Sequence, residues 1–530
     1  MFLKREYWEK TLFKVYPVPK AQDILSKLIE GVKIGRQPPS ESVVSSNWPS
    51  ASKYYDQVNE IINNDLHEGR LAGPYSTPPF PAYIVSPLGA FPKRLSTKIR
   101  VIHDLSYPVN RSVNCKIEVS EFPLSYSSVE DAVKLCQALK GKDIHLAKLD
   151  LQDAFKHIMV HPDDVCMLGF SWSDREGHPS YYFSKVLNFG LATAPALFDI
   201  FASALEEFMR FEGTSAGLVR YVDDFLVVAS NEADCARNLQ LMLNTCEKAG
   251  FRVQPAKVTA PAKAVEFLGI IVDTETEELR ISEERMEEIR SELVTWQPGR
   301  AVTKRKILSL IGKLVFASRV VLHGRAFIGR LIQLSKKARA LHHRVRPDVQ
   351  AMRDIDWWKA CLRSHNGVRL FNVVWTEEST HHIYTDSSDY GMGAFNHGQW
   401  FSISFTGKWD ACKSRSINWR ELLAAVKALA TWGPSLAGQN VVFHIDNTSI
   451  CYILNKLYSP SPDLMELVRS WCLYLEIFRI NVAPVYISTH ANVDADDLSR
   501  GRIREMSDRN PQADKCMTWP AAIKFYDSEL

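Results

Sequence analysis

Two adjacent carboxylates, Asp223 and Asp224, interrupt an otherwise apolar, β-branched run, with Leu218-Val219-Arg220-Tyr221-Val222 before them and Phe225-Leu226-Val227-Val228 after. That pattern predicts a tight β-hairpin with acids at its tip and both strands sunk in a core. Packing gains nothing from setting two like charges side by side. A divalent cation explains them, because carboxylate oxygens are the natural ligands of Mg²⁺. Asp is also a common turn residue, so the tetrapeptide alone fits either reading. The decision rests on a third acid.

The chain of 530 residues is 46% hydrophobic and 24% charged, the composition of ordinary multidomain globular protein. No apolar run is long enough to span a bilayer, and Met1-Phe2-Leu3-Lys4-Arg5-Glu6 opens no signal peptide. The ten cysteines are scattered without a CxxC pair, which favours reduced thiols and an intracellular setting over disulfides or a zinc site. The net charge of +3 conceals segregation. Acids dominate from Asp273 to Glu292, whereas Gln297 to Arg346 contains no acid and carries Lys304, Arg305, Lys306 and Lys313 among many basic residues. One-sided charge over so long a stretch is a nucleic-acid footprint.

Helical periods cover Ala21 to Val32 and Tyr54 to Gly69 around a Pro/Ser-rich linker, Gln37 to Ser52. Pro74 to Pro92 is proline-studded and extended, suiting a loop or edge strands. Strand-like and helix-like segments then alternate to about Asp273. The acidic and basic segments that follow are mostly helical by period. A fresh α/β unit begins at His382-Ile383-Tyr384-Thr385, with a helix from Asn418 to Trp432 and strands over Val441 to Ile445 and Asn481 to Ile487. Met506 to Leu530 reads as a polar, poorly ordered tail.

The third acid is Asp150, in Lys148-Leu149-Asp150-Leu151-Gln152-Asp153-Ala154-Phe155. It follows a strand-like run, so it sits at a strand's C-terminal end. A strand acid and a hairpin-tip acid can converge on a pair of Mg²⁺ ions for phosphoryl transfer. By itself Asp150 also fits a helix N-cap. With these residues in view the chain resembles the reverse transcriptases of retroelements, whose first palm motif matches Asp150 and Phe155 and whose YxDD motif matches Tyr221 to Asp224. The resemblance implies that Asp150, Asp223 and Asp224 are the polymerase metal acids. It implies that Phe155 is the steric gate against a ribose 2′-hydroxyl, although its type alone also suits a core aromatic. Leu187-Asn188-Phe189-Gly190 through Phe198 is similar to the family's LPFGL…AP..F motif, placing Phe189 and Gly190 against the nucleotide, with Asn188 standing where proline is usual. Arg100, in Lys98 to Ser106, resembles the fingers arginine that grips the triphosphate, and the register makes Lys93 a second candidate. Lys257 matches the lysine that protonates departing pyrophosphate, and Phe267-Leu268-Gly269 looks like the primer grip.

Acids recur in the C-terminal unit in another layout. Asp386 closes one strand, Glu421 lies early in a helix, Asp446 ends a second strand, and Asp496 lies in Asn492-Val493-Asp494-Ala495-Asp496-Asp497-Leu498-Ser499-Arg500. Any one alone fits a cap or a surface charge. Four in this order resemble ribonuclease H, whose carboxylates hold two metals that activate water against RNA in a hybrid; His490 is a candidate helper in product release.

The resemblance, spanning roughly residues 75 to 500, implies an α+β multidomain fold. A right-hand polymerase (fingers, palm, thumb) is followed by a ribonuclease H-like α/β domain. The expected division is 1–74 N-terminal extension with linker, 75–275 fingers and palm, 276–375 basic thumb and connection, 380–500 ribonuclease H-like domain, and 501–530 tail. The implied activity is RNA- and DNA-directed DNA synthesis with hybrid cleavage. It would use two Mg²⁺ ions at each site, with Mn²⁺ as the alternative, and RNA template, DNA primer, RNA–DNA hybrid and dNTPs as partners, without a membrane. An RNA-dependent RNA polymerase shares the palm acids, but the Phe155 gate and a ribonuclease H argue against it. A decayed copy that only binds nucleic acid is opposed by the intact acids. Ser86-Pro87-Leu88-Gly89, Ile102 to Pro108 and Asn492 to Arg500 look most like DIRS-type retrotransposons, which use a tyrosine recombinase in place of the usual integrase. Recombinase or integrase would come from another chain or region of the element.

Overall fold

The computed structural model describes residues 3–92, 98–364, 367–370 and 380–515. The chain divides into two compact units, Met1–Thr276 and Glu277–Leu530.

In the first unit a four-stranded sheet runs in the order Thr259–Ala262, His145–Asp150, Asp224–Ala229, Gly217–Tyr221. Its central strands alternate little and are buried on both faces, because helices Ala194–Phe211 and Glu232–Ala249 contribute Phe198, Phe201, Phe208 and Met242 to the same core. A five-stranded sheet is ordered Val43–Val44, Ile84–Val85, Gly169–Ser173, Pro179–Ser184, Leu71–Tyr75. A separate hairpin pairs Leu88–Pro92 with Ile99–His103.

The segment read as an N-terminal extension is built into this unit. Helix Arg5–Val15 seats Trp8, fully buried, against Phe201, Phe208 and Phe251. The Trp8 indole N–H donates to the Ala249 carbonyl at 2.9 Å. The Pro/Ser-rich stretch read as a linker differs from expectation too. Val43–Val44 pairs in parallel with Ile84–Val85, and Pro49–Lys53 is helical. Two apolar β-branched residues suffice to close a sheet edge.

The second unit opens with helices Glu283–Val294, Lys304–Ala317, Gly329–Lys336 and Val349–Ser364. A six-stranded sheet follows, ordered Asn481–Tyr486, Asn440–Ile445, Thr380–Ser387, Gly391–Asn396, Gln399–Ser404, Asp514–Lys515. The first three are mutually parallel, and the hairpin strands between Thr380 and Ser404 are antiparallel. Helix Ile417–Trp432 packs on this sheet and against Pro462–Phe478.

The polar C-terminal stretch is ordered through Lys515, against expectation. Helix Ile503–Arg509 buries Met506 beside Trp400 and Leu498, and Asp514–Lys515 adds a parallel edge strand beside Gln399 and Trp400. One methionine in a charged helix anchors it; the rest of the expected tail, 516–530, lies outside the described residues. No described helix is long and apolar enough to cross a membrane. The nine described cysteines are all free.

If helix Arg5–Val15 is part of the first unit's core, Trp8→Ala should destabilise that unit by about 3–5 kcal/mol, the range for emptying a buried aromatic site. Urea unfolding followed by amide exchange in helix Ala194–Phe211 reads this; an effect as small as that of a surface substitution would contradict it.

Candidate active sites

Strand register assembles the first site. Asp224 is the first residue of its strand and stands directly opposite Asp150, the last residue of His145–Asp150. Asp224 also pairs with Tyr221, so Val222 and Asp223 form a two-residue turn, and the Leu151 amide donates to the Asp223 carbonyl at 3.1 Å. Val222 takes φ 57°. A hairpin turn of this length favours glycine at such a position, so a β-branched residue there stores strain of about 1–3 kcal/mol. The turn is thus held by its surroundings, with Asp223 aimed beside Asp150.

Like charges directly opposed across a sheet repel. Burial pushes the Asp223 carboxyl up to about 6, with the Asp150 charge adding to it. Burial likewise raises Asp224, although Lys148 opposes the shift. Two ammonium groups answer the repulsion. Lys257 Nζ lies 2.7 Å from Asp150 Oδ2, and Lys148 Nζ lies 3.3 Å from Asp224 Oδ1. Burial alone would lower Lys257, but its hydrogen bond to Asp150 and the fields of the acids win and raise it. The cluster therefore calls for cations, and the donor set is all oxygen, as hard divalent ions require. Lys148 was inside a quoted motif without a role; a lysine interrupting a buried strand is the signal that marks it.

Three nucleotide-binding candidates contact one another in succession. The Phe155 ring is 8% exposed and sits 4.9 Å from Phe189, and the Arg100 guanidinium lies 6.0 Å from the Phe189 ring centre. Arg100 projects from the Ile99–His103 strand opposite Phe91. Gly190, at φ 113°, approaches the Leu88–Pro92/Ile99–His103 hairpin so closely that a Cβ would meet the His103 carbonyl oxygen at 2.1 Å. No side chain fits there. Asn188, in place of the usual proline, is fixed by hydrogen bonds: it accepts from Ser184 Oγ at 2.9 Å and donates to His103 Nδ1 at 3.0 Å. Burial drops the His103 imidazole to about 4. The neutral ring can then accept at Nδ1 and donate from Nε2 to the Gly169 carbonyl, 2.9 Å away. Asn114 clamps the same loop, donating to the Gly190 carbonyl and accepting from the Ala192 amide. Lys93 lies outside the described residues. Phe267 is buried, and Leu268 and Gly269 turn the chain with positive φ.

The second cluster forms at one end of the six-stranded sheet. Oxygens of Asp386, Glu421 and Asp446 all lie within 4.8 Å of one another. Asp386 and Glu421 are each 4% exposed, and Asp386 Oδ2 and Glu421 Oε2 are buried without a hydrogen-bond partner. Buried orphan oxygens are rare; here they converge, which fits a divalent cation. Burial, then Asp386 and Asp446, push Glu421 up to about 9, and burial pushes Asp386 up to about 6. Thr489 Oγ1 donates to Asp446 Oδ2 at 3.0 Å, and Asn492, buried, donates to the Thr385 carbonyl. Asp496 stands near enough to raise Asp386, but its own carboxylate pairs with Arg500 at 2.9 Å and with Arg502. Its neighbours Asp494 and Asp497 are both paired with Arg509. His490 is exposed beside Thr489.

The four basic candidates are not equivalent. Lys304 Nζ donates to the Ala338 carbonyl just beyond helix Gly329–Lys336. Lys306 reaches Thr295 Oγ1, and Lys313 lies 3.1 Å from Glu288 and 3.4 Å from Glu292. Arg305 is exposed. Part of the basic run thus neutralises the acidic helix Glu283–Val294, since the two charge blocks fold against each other.

Residues 92–272 match the family described as reverse transcriptase (RNA-dependent DNA polymerase), and residues 376–478 match the RNase H-like domain found in reverse transcriptase. The chain therefore carries a reverse transcriptase domain followed by a ribonuclease H-like domain. Among similar proteins, the Gag-Pol polyprotein of avian reticuloendotheliosis virus is 29% identical over 185 residues, 35% of this chain and 15% of that protein. The Gag-Pol polyprotein of koala retrovirus is 24% identical over 265 residues, 49% of this chain and 15% of the viral protein. The chain thus spans about 15% of the length of these curated relatives. A foamy viral protease–reverse transcriptase, solved in complex with double-stranded DNA, is 18% identical with a TM-score of 0.50, covering 91% of this chain and 81% of that one. That likeness concerns the fold.

Because Glu421 titrates near 9 in the folded, metal-free protein and near 4.5 when unfolded, its contribution to stability is full below the lower value and lost as pH rises toward the upper. Metal-free protein should lose thermal stability between those pH values, and Glu421→Gln should flatten the profile. Mg²⁺ binding at pH 7.5 should release about one proton more in the wild type than in Glu421→Gln. Calorimetry in buffers of different ionisation enthalpy measures it, and equal release by both proteins would refute the assignment.

Proposed function

We propose that this chain is an RNA- and DNA-directed DNA polymerase that also cleaves the RNA of an RNA–DNA hybrid. One observation carries the reading: two separate carboxylate clusters stand at sheet ends, each within the domain whose chemistry needs it. Asp150, Asp223 and Asp224 serve the reverse transcriptase domain, and Asp386, Glu421, Asp446 and Asp496 the ribonuclease H-like domain.

When bound, a pair of Mg²⁺ ions would lower the pKa of the attacking hydroxyl or water and neutralise the leaving oxygen. The chain does the rest. Asp150 and Asp223 would hold the metal ions of the polymerase site, and Asp224 shares its charge with Lys148. Lys257, 2.7 Å from Asp150 Oδ2, holds an ammonium proton beside the acids and would be the group that protonates departing pyrophosphate. Arg100 offers a planar fork to the triphosphate, and Lys93 is its proposed companion. Phe155, backed by Phe189, fills the space that a ribose 2′-hydroxyl would need, and Gly190 lets backbone approach the nucleotide. In the second site buried Asp386 and Glu421 form the cradle with half-buried Asp446. Asp496, with Arg500 and Arg502 as exchangeable partners, closes it. Arg305 and its basic neighbours would hold template–primer through phosphates, with steep salt dependence.

RNA template, DNA primer, hybrid and dNTPs are the proposed partners. Mg²⁺ is the proposed metal, with Mn²⁺ as substitute. The three short runs at Ser86, Ile102 and Asn492 favour a DIRS-type element, whose recombinase another chain or region would supply.

Primer extension on an RNA template with Mg²⁺ should proceed with wild type and fall by at least about 10³-fold in Asp223→Asn, the scale for losing a metal-bound transition-state contact. Hybrid cleavage should be lost in Asp446→Asn while extension survives. No incorporation by wild type would leave only a nucleic-acid-binding protein, and loss of both activities in Asp446→Asn would deny two independent sites.

A further inference from the structure

The sugar gate is buttressed by residues that lie before the matched reverse transcriptase segment. Asp150 ends its strand, Asp153 takes φ 50°, and Ala154–His157 forms a single tight turn carrying Phe155. The Arg252 amide donates to His157 Nε2 at 3.1 Å, and the charged side chains of the turn are tied by the end of helix Tyr55–His67 and the residues after it. Arg70, 2% exposed, lies between Asp65 and Asp153, with Nη1 3.2 Å and 3.3 Å from their carboxylates. Lys156 Nζ reaches both oxygens of Asp65, at 2.9 and 2.6 Å. Glu68 takes Arg252 at 2.7 Å, and the Arg252 carbonyl accepts the Gln152 amide at 2.8 Å. Residues 153 and 156, on either side of Phe155, are thus held directly by the 65–70 segment, and residue 152 only through Arg252.

Phe155 itself packs in the core, 5.6 Å from Phe198, but its other ring neighbour is less enclosed. Phe189, the ring behind Phe155, borders a cavity of about 80 Å³ that Asp65, Arg70, Lys156 and Asn188 also line. A ring with space behind it has lost part of its contacts and can yield. We propose that Arg70 and Asp65 are positioning residues for deoxyribonucleotide selection, acting through Asp153 and Lys156 to hold the Phe155 turn. The proposal rests on the polymerase reading and on Phe155 as its gate. A buried guanidinium between two carboxylates resists displacement far better than a single exposed pair, which suits a support that must not move when a nucleotide arrives.

Single-nucleotide incorporation with dNTP and with rNTP tests this in Arg70→Met, Arg70→Lys and Asp153→Asn, the last leaving Arg70 paired with Asp65 if Arg70→Met does not fold. Arg70→Met and Asp153→Asn should each reduce discrimination against rNTP by about tenfold, mainly through a lower KM for rNTP, as expected for sub-ångström slack in a positioned group. Arg70→Lys should restore part of it. In a Phe155→Ala background, Arg70→Met should change the ratio by no more than about twofold, because its route is already removed. Equal slowing with both sugars in Arg70→Met and Asp153→Asn, while Phe155→Ala does relax selection, would overturn the proposal alone. Unchanged selection in Phe155→Ala would overturn the gate and the proposal with it. Absence of any dNTP incorporation by wild type would strike the polymerase reading itself.

Discussion

Asp224 stands opposite Asp150 because an antiparallel register places the first residue of one buried strand against the last residue of another. Two carboxylates in that position, with Asp223 in the turn beside them, repel in a medium that screens them poorly. Much of the first unit is arranged around this repulsion. Lys148 and Lys257 come to the acids from neighbouring elements. The Val222 turn keeps a positive φ that such a residue would otherwise avoid. The helices on the sheet supply the apolar packing that offsets both burdens.

The second unit meets the same difficulty with a different balance. Its cluster has no lysine among the cradle acids; Glu421 and Asp386 keep buried oxygens without donors, and protonation relieves the charge when metal is absent. Asp496 is directly ion-paired, with Arg500 and Arg502 that follow it in sequence. A more exposed rim acid can exchange an arginine for an ion, whereas the buried acids can exchange only a proton. Metal uptake is therefore linked to deprotonation chiefly in this second site.

Individual residues differ in how far they could be read in advance. The positions of Asp150, Asp386 and Asp446 at or next to strand ends were legible, since each follows a short, largely apolar run. Val43–Val44 and Asp514–Lys515 were not, because two-residue edge strands carry no periodicity and exist only through their partners. The order around Met506 was missed for a related reason: a single buried side chain in a charged helix leaves no stripe. Asn188 stands where the stiffness of proline is usual. Its hydrogen bonds to Ser184 and His103 supply the rigidity from residues remote in sequence.

Charge shows the same division. Local composition located an acidic and a basic block, but only folding could reveal that Lys313 and Lys306 turn toward Glu288, Glu292 and Thr295 while Arg305 stays exposed. The sequence by itself determined which acids end strands, which aromatic and glycine follow them, and the order of the two domains, since these depend on residue type and short-range period. Tertiary structure alone decided which charges are paired, how far Glu421 is raised, and that Arg70 reaches Asp153. Those properties depend on burial and on distances between residues far apart along the chain, and neither is encoded in local pattern.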